Sequence, residues 1–157
     1  MVTYPVELII PDDMDWTGLS NKQVIKKFKS LKNIELTEDI KGIDTGFCYN
    51  YALGIYDEPW MDGCEDAHAY LVDFYFPIKI SEAKYGDVIA FYNGNPDEDT
   101  ALHFGILKET DGTLEGTKIL SKWGIWGVYA TDLKTMPKFY GNIIVIWRKK
   151  NYNVKGE

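Results

Sequence analysis

Short apolar runs rich in β-branched and aromatic residues fill the second half of the chain, and this pattern constrains the fold most strongly. Four runs read GDVIAFYN, ALHFGILKET, TKILSKW and NIIVIWRK. Glycine, proline or acidic residues separate them, as is typical of strands joined by turns. We therefore predict four strands, near residues 86–92, 101–109, 117–123 and 142–148.

Helical signals come first along the chain, after a short strand or extended arm predicted at Val6–Ile10. Ser20 and Gln23 form a capping box. Apolar residues then recur at helical spacing on one face, at Val24, Ile25, Phe28 and Leu31. This pattern predicts a helix that begins near Ser20, with its lysines on a solvated outer face.

Two further short helices are predicted before the strands. The run from Phe47 to Leu53 ends at Gly54, which favours a helix with a glycine C-cap. Glu65 to Phe76 predicts a second helix, before Pro77. Helices followed by antiparallel strands define an α+β fold rather than an alternating α/β one.

Composition and charge limit the classes of function. The chain has 157 residues and a formal charge of −7, with no long basic tract. We expect one domain over residues 1–157 and neither nucleic acid nor membrane as a partner. The N-terminus lacks the basic and small-residue features of a signal peptide, and two cysteines form no disulfide framework. These features predict a cytoplasmic protein with free thiols. Pairing of Cys48 with Cys64, and export by a route without a cleaved signal, are the alternatives.

Cys48 is the candidate nucleophile. It lies in DTGFCYNYALG, where the predicted helix begins. Unpaired N–H groups and the helix dipole at such a position favour a thiolate, so we expect a lowered pKa for this thiol. The backbone N–H groups around Cys48 and Tyr49 are then candidate oxyanion donors.

A cysteine nucleophile needs a base and a group that orients the base. Of the two histidines, His103 begins a predicted strand at the rim of the sheet, whereas His68 lies within CEDAHAYL; we favour His103. A three-residue turn centred on Gly112 places Ser121 opposite His103, and a two-residue turn places Leu120 there instead. The second glycine, at residue 116, also allows an irregular hairpin.

Other polar residues have simpler interpretations. Cys64 and His68 form C-x3-H, but two such ligands are too few for a tetrahedral zinc site. The loop Asp97–Asp99 is interpreted as a solvated turn that disfavours anionic substrates or raises the pKa of His103. Asp87 is interpreted as a turn residue entering its strand. Trp123 and Trp126 either line a groove or pack in the core.

The order of these motifs resembles a known superfamily. A cysteine heading a helix, then GDVIAFY, ALHFGIL and KILSKWG, is similar to the core of the NlpC-type, papain-like cysteine peptidases and amidases. The segments CYNYALG, SKWG, VY and PKFYGN look like a little-characterised bacterial branch of that superfamily. The resemblance covers roughly residues 44–148.

The resemblance implies a papain-like fold with Cys48 as nucleophile, His103 as general base and Ser121 as the third residue. The family usually has His, Asn or Gln at the third position, so Lys122, Asn50 or a water are alternatives. Ala130 also stands where the branch has histidine.

The implied function is a cysteine hydrolase that cleaves an amide bond, by analogy in cell-wall peptides, with no cofactor. Its partner is then a peptide or another amide-containing substrate. One alternative is a catalytically inactive papain-like domain that binds a partner protein, as inhibitor or immunity modules do. Another is a thioester-forming acyltransferase.

Overall fold

The fold is described from a computed structural model. It describes residues 5–8, 20, 22–23, 26, 35–38, 47–55, 63–122, 128–133, 136 and 140–151. The described part of the chain contains an antiparallel sheet, two α-helices with described bounds, helical residues at 22, 23 and 26 of the helix predicted after Ser20, and a short 3-10 helix, Ile80–Glu82. Its strands are β1 (Glu7–Leu8), β2 (Glu35–Glu38), β3 (Tyr75–Ile78), β4 (Val88–Tyr92), β5 (Ala101–Glu109), β6 (Lys118–Lys122), β7 (Val128–Asp132) and β8 (Ile143–Lys149). The α+β class is therefore confirmed.

The strand order in this eight-stranded sheet is β1-β8-β4-β5-β6-β7-β2. The strand β3 pairs with the part of β8 that β1 leaves open. All of these pairings are antiparallel. The central strand β4 is buried along its whole length, because it has neighbours on both sides and apolar clusters on both faces.

Helices α1 (Cys48–Leu53) and α2 (Cys64–Phe74) pack against one face of the sheet. Ala90 and Phe104 belong to this face, whereas Ile89 and Phe91 belong to the cluster on the other face. The alternation follows from the two-residue period of a β-strand. Alternate side chains along β4 and β5 therefore face the helices, and the side chains between them face the other side of the sheet.

Local signals predicted several elements correctly. Gly54 ends α1 in the left-handed conformation, with φ of 70°, as expected for a glycine C-cap. The capping box at Ser20 is present. The N–H of Ser20 donates to Oε1 of Gln23 at 2.9 Å, and the N–H of Gln23 donates to Oγ of Ser20 at 3.2 Å. The apolar face predicted for that helix lies outside the described residues, as do Ile9 and Ile10 of the predicted arm.

Three strands were not predicted. The helix predicted within Glu65–Phe76 is present as α2, but it ends at Phe74 and the chain enters β3 at once, before Pro77. Pro77 lies inside β3, where it occupies an edge position that tolerates a missing N–H. The strands β2 and β7 pair with each other, although β2 is a polar segment without strand periodicity.

The register predicted between β5 and β6 is wrong for both turn lengths. Ile106 pairs with Leu120 and Leu107 with Ile119, and a bulge follows before Glu109. The loop from 110 to 117 is longer than a tight turn, and hydrogen bonds between its own residues hold it closed. Thr110 and Thr117 share a hydroxyl hydrogen bond of 2.8 Å, and Asp111 accepts hydrogen bonds from Thr113. The irregular hairpin is the arrangement observed.

Asp87 has the structural role expected of it. Its carboxylate accepts two hydrogen bonds from the Arg148 guanidinium, at 3.0 and 2.7 Å, and one from the N–H of Lys84. This pair fixes the start of β4 against β8. No helix within the described ranges is long and apolar enough to cross a membrane.

Candidate active site

Cys48 is the first residue of α1, as the sequence predicted, and its side chain is buried. It lines a cavity of about 300 Å³ with His103, Cys64 and Tyr140. The backbone N–H groups of Tyr49 and Phe104 donate to its sulfur. The cavity therefore brings the two predicted catalytic residues to one place.

The pKa of Cys48 does not follow the prediction. A hydrogen bond with Cys64 raises it well above the usual value, with burial as the second cause, and these effects exceed the lowering by the N–H groups of Phe104 and Tyr49. The same hydrogen bond lowers the pKa of Cys64. In the resting protein the first thiolate therefore forms on Cys64, with Cys48 as its hydrogen-bond donor.

Cys64 is the first residue of α2 and is only partly buried. The sequence predicted a free thiol here that, with His68, falls short of a zinc site. Its position at a helix start resembles the signal that singled out Cys48. What the sequence did not show is that the two helix starts meet in space.

His103 is the third residue of β5 and is 1% exposed. Its side chain lies on the Phe91 face, with ring centroids 5.6 Å apart, whereas α1 packs on the other face. The imidazole and the Cys48 side chain nevertheless line the same cavity, which lies near the beginning of β5, where a bulge interrupts the register with β4.

Burial lowers the pKa of His103 to about 3. The prediction that the acidic loop raises this pKa is therefore wrong. Asp97 acts on His68 instead, where it partly opposes the lowering of the pKa by burial. The resting site consequently pairs a neutral imidazole with a protonated Cys48 thiol rather than an imidazolium with a thiolate.

Tyr140 also lines the cavity, although the sequence provided no reason to expect it there. Its ring stacks on the imidazole of His103, with centroids 4.0 Å apart and an interplanar angle of 18°. Burial raises the pKa of Tyr140, so its hydroxyl stays neutral. Tyr140 belongs to PKFYGN, one of the segments that carry the family resemblance, but nothing local to that segment indicates that its tyrosine covers a histidine on β5.

Ser121 lies beside Gly105 of β5 rather than opposite His103. A Cβ at Gly105 would lie 3.2 Å from the Cβ of Ser121 and 2.9 Å from the carbonyl oxygen of Leu120. The absence of a side chain at Gly105 thus lets β6 approach closely. The Ser121 hydroxyl is buried and has no hydrogen-bond partner among the described residues, so the expected hydrogen bond to the imidazole is not formed.

The two alternative third residues differ. Asn50 is engaged in its own helix, since its Oδ1 accepts from the N–H of Phe47 and its Nδ2 donates to the carbonyl of Ile55, at 2.8 and 2.7 Å. Lys122 is fully buried on β6. Burial lowers the pKa of Lys122, and the negative charge of a Cys48 thiolate partly offsets this effect. Of the two, Lys122 is the one that interacts with the candidate nucleophile.

His68 belongs to the core. Its Nδ1 lies 2.9 Å from the hydroxyl of Tyr92, and its ring packs edge-on against Tyr92 and Trp147. This arrangement agrees with the choice of His103 as the candidate base. Within the ranges that the structure describes, no three His, Cys, Asp or Glu side chains are grouped so that they could hold a metal ion. The segment 123–127, with both predicted groove tryptophans, lies outside those ranges.

An acidic cavity adjoins the thiols. It has a volume of about 490 Å³, shares Gly63 and Cys64 with the first cavity, and is lined by four carboxylates, those of Glu65, Asp66, Glu98 and Asp99. The negative potential of such a cleft attracts cations and repels anions. The interpretation of the 97–99 loop as a barrier to anions is consistent with this position.

We expect this charge to govern which reagents reach Cys64. In a Cys48→Ser background, a cationic methanethiosulfonate should label Cys64 about 10-fold faster than its anionic counterpart at low salt, with a smaller ratio at high salt. The measurement is the labelling rate by intact mass. Glu98→Gln with Asp99→Asn should lower the ratio, and equal rates for both reagents in the parent would contradict the expectation.

Comparison of the chain with models of protein families, with curated proteins and with solved structures found no match. The site is therefore interpreted from its own geometry.

Proposed function

We propose that the chain is a cysteine hydrolase of amide bonds with the papain-like architecture that its sequence resembles. The convergence of Cys48 and His103 on one cavity carries the proposal, since the two residues come from different elements, α1 and β5. A short helix packed on an antiparallel sheet is compatible with that architecture.

The site supports an acyl-transfer sequence. The Cys48 sulfur attacks the amide carbonyl while His103, neutral because of its low pKa, accepts the thiol proton. The proton then passes to the nitrogen as the C–N bond breaks, which leaves a thioester on Cys48. Water, deprotonated by the same imidazole, attacks the thioester and releases the acid and the thiol.

Three other groups support these steps. The N–H groups of Tyr49 and Phe104 point at the Cys48 sulfur, close to where the carbonyl oxygen of an acyl group bound there develops negative charge. Lys122 supplies a buried positive charge near the thiolate. The stacked ring of Tyr140 holds the plane of the imidazole, a role that the predicted Ser121 hydrogen bond does not fill.

The inactive binding module is the second candidate function, and a specific observation favours it. Burial disfavours the imidazolium of His103, the Cys48 thiol is held protonated, and the Ser121 hydroxyl makes no hydrogen bond within the described part of the chain. A site that never forms its ion pair would retain the fold without the chemistry.

Alkylation of Cys48 separates the two functions. In a Cys64→Ser background, where Cys48 is the remaining thiol, we expect iodoacetamide to label native Cys48 at pH 7. His103→Gln should slow this labelling at least ~10-fold, because the base that removes the thiol proton is lost. The rate is followed by intact mass, and the adduct is located by peptide mapping.

His68→Gln is the matched control, since it removes the other buried histidine, which does not line the cavity. It should leave the Cys48 rate unchanged in a variant whose circular dichroism is native. Release of amine from cell-wall peptides and other short peptide amides then tests the hydrolysis itself. Cys48 labelling indifferent to His103, with no Cys48-dependent release from any peptide, would contradict the enzyme and favour the binding module.

A further inference from the structure

The chain has two cysteines, and they meet. Cys48 and Cys64 each begin a helix, line the same cavity and share a hydrogen bond between their thiols. The two sulfurs therefore meet at a single point of the molecule. Two thiols in contact need only a small approach to become covalently joined.

The two thiols differ in access. Cys48 is 8% exposed, whereas Cys64 is partly exposed and also lines the neighbouring, larger cavity. A small reagent therefore meets Cys64 first. The lowered pKa of Cys64 agrees with this order, because the thiolate is the form that reacts with oxidants.

We propose that Cys48 and Cys64 form a reversible disulfide when the protein meets a peroxide, with Cys64 as the peroxide-reactive thiol and Cys48 as the resolving thiol. Contact between the two side chains in one cavity, together with the greater access to Cys64, carries this assignment.

The peroxide is the two-electron oxidant that disulfide formation requires. The Cys64 thiolate attacks one peroxide oxygen, the O–O bond breaks, and the leaving alkoxide or hydroxide takes up a proton, which leaves a sulfenic acid on Cys64. The Cys48 sulfur then attacks the Cys64 sulfur, the S–O bond breaks, and water leaves with the Cys48 proton. The thiols lose two electrons in total, and these reduce the peroxide.

A disulfide has a consequence for the cavity that rests on the proposed function. The Cys48 sulfur would be bonded to Cys64 and unable to attack a carbonyl. Peroxide would thus switch off amide hydrolysis, and a dithiol reductant would restore it. The disulfide itself does not depend on whether the protein hydrolyses anything.

The experiment treats the full chain with a small excess of hydrogen peroxide, unfolds it in N-ethylmaleimide and measures the intact mass. We expect the treated protein to take up no label and to remain monomeric on a non-reducing gel. Dithiothreitol should return both labelling sites. Native labelling of Cys48 by iodoacetamide should fall at least ~10-fold on oxidation, because a disulfide sulfur is not a nucleophile.

Single variants test the order of the two steps. In Cys48→Ser the sulfenic acid on Cys64 should persist and be trapped by dimedone, whereas Cys64→Ser should give far less dimedone adduct, located on Cys48. Equal trapping in both variants would overturn the assigned order. Two maleimide labels after peroxide, or disulfide-linked dimers in place of the monomer, would overturn the disulfide.

Failure of this proposal is distinguishable from failure of the proposed function. A disulfide that forms in a protein without amide hydrolysis leaves this proposal standing and removes the enzyme. Amide hydrolysis by a protein whose thiols resist peroxide would overturn the disulfide and leave the proposed function standing.

Discussion

Lowering the pH from 7 to 4 should reduce the free energy of unfolding by about 3 kcal/mol more in the native protein than in a His103→Gln variant. The imidazole is buried and its pKa is about 3, against an ordinary value of 6.5. Between these values the unfolded chain binds a proton that the folded chain does not bind. The contribution of the buried, neutral imidazole to the free energy of unfolding is therefore complete above pH 6.5, and it is lost as the pH falls towards 3.

The groups that face the imidazole do not compensate this loss. Burial raises the pKa of Tyr140, and contact with Cys64 raises that of Cys48, so both stay uncharged between pH 4 and 7. His68 also has a lowered pKa because of burial and contributes to acid destabilisation in the same direction. Comparing the two proteins at each pH removes that shared contribution.

Urea unfolding of both proteins at several pH values gives the measurement. The difference in pH dependence, and not the absolute stability of the variant, reports His103. His68→Gln leaves His103 in place and should therefore retain the pH dependence that His103 causes. Parallel pH profiles for the native protein and His103→Gln would contradict the buried, neutral imidazole.

Replacing Gly141 by alanine should lower the free energy of unfolding by about 3 kcal/mol. Gly141 has φ of +93°, a conformation that costs other residues energy, and a Cβ there would collide with the carbonyl group of Tyr92 at the end of β4. That obstacle is backbone and cannot rotate away. The adjacent Tyr140, which stacks on His103, should shift with it.

Gly86 is a matched control for this substitution. It has the same φ of +93°, and among the described residues, its own chain neighbours aside, no atom lies within 4 Å of the position a Cβ would take. Gly86→Ala should therefore cost only the backbone strain, about 1 kcal/mol. Urea unfolding of the two variants separates strain from collision, and equal losses would contradict the close approach of Gly141 to β4.

Patterns within a few residues predicted much of the fold and part of the site. The C-cap at Gly54, the capping box at Ser20 and the four main strands depend on local propensity and periodicity. Cys48 at the start of α1 is a prediction of the same kind. The strand β2 was missed because its stability comes from pairing with β7 rather than from its own polar sequence.

The position of Ser121, the third member of the predicted triad, could not be predicted from local patterns. Placing Ser121 opposite His103 required a tight turn, but hydrogen bonds between side chains of the 110–117 loop close a longer one. A change of register along the strand changes which residues are opposite, and no local pattern records it. The imidazole of His103 stacks on the ring of Tyr140, whereas the Ser121 hydroxyl makes no hydrogen bond within the described part of the chain.

The sequence by itself determined the α+β class, the helix that begins at Cys48 and the strand that carries His103. The tertiary structure decided that Cys64 touches Cys48, that Tyr140 covers His103, and that the protons lie on Cys48 and off His103. Helix starts and strand periods depend on residues close together in the chain. Contacts and pKa values depend on which distant residues exclude water from a group, and only the folded path of the chain sets that.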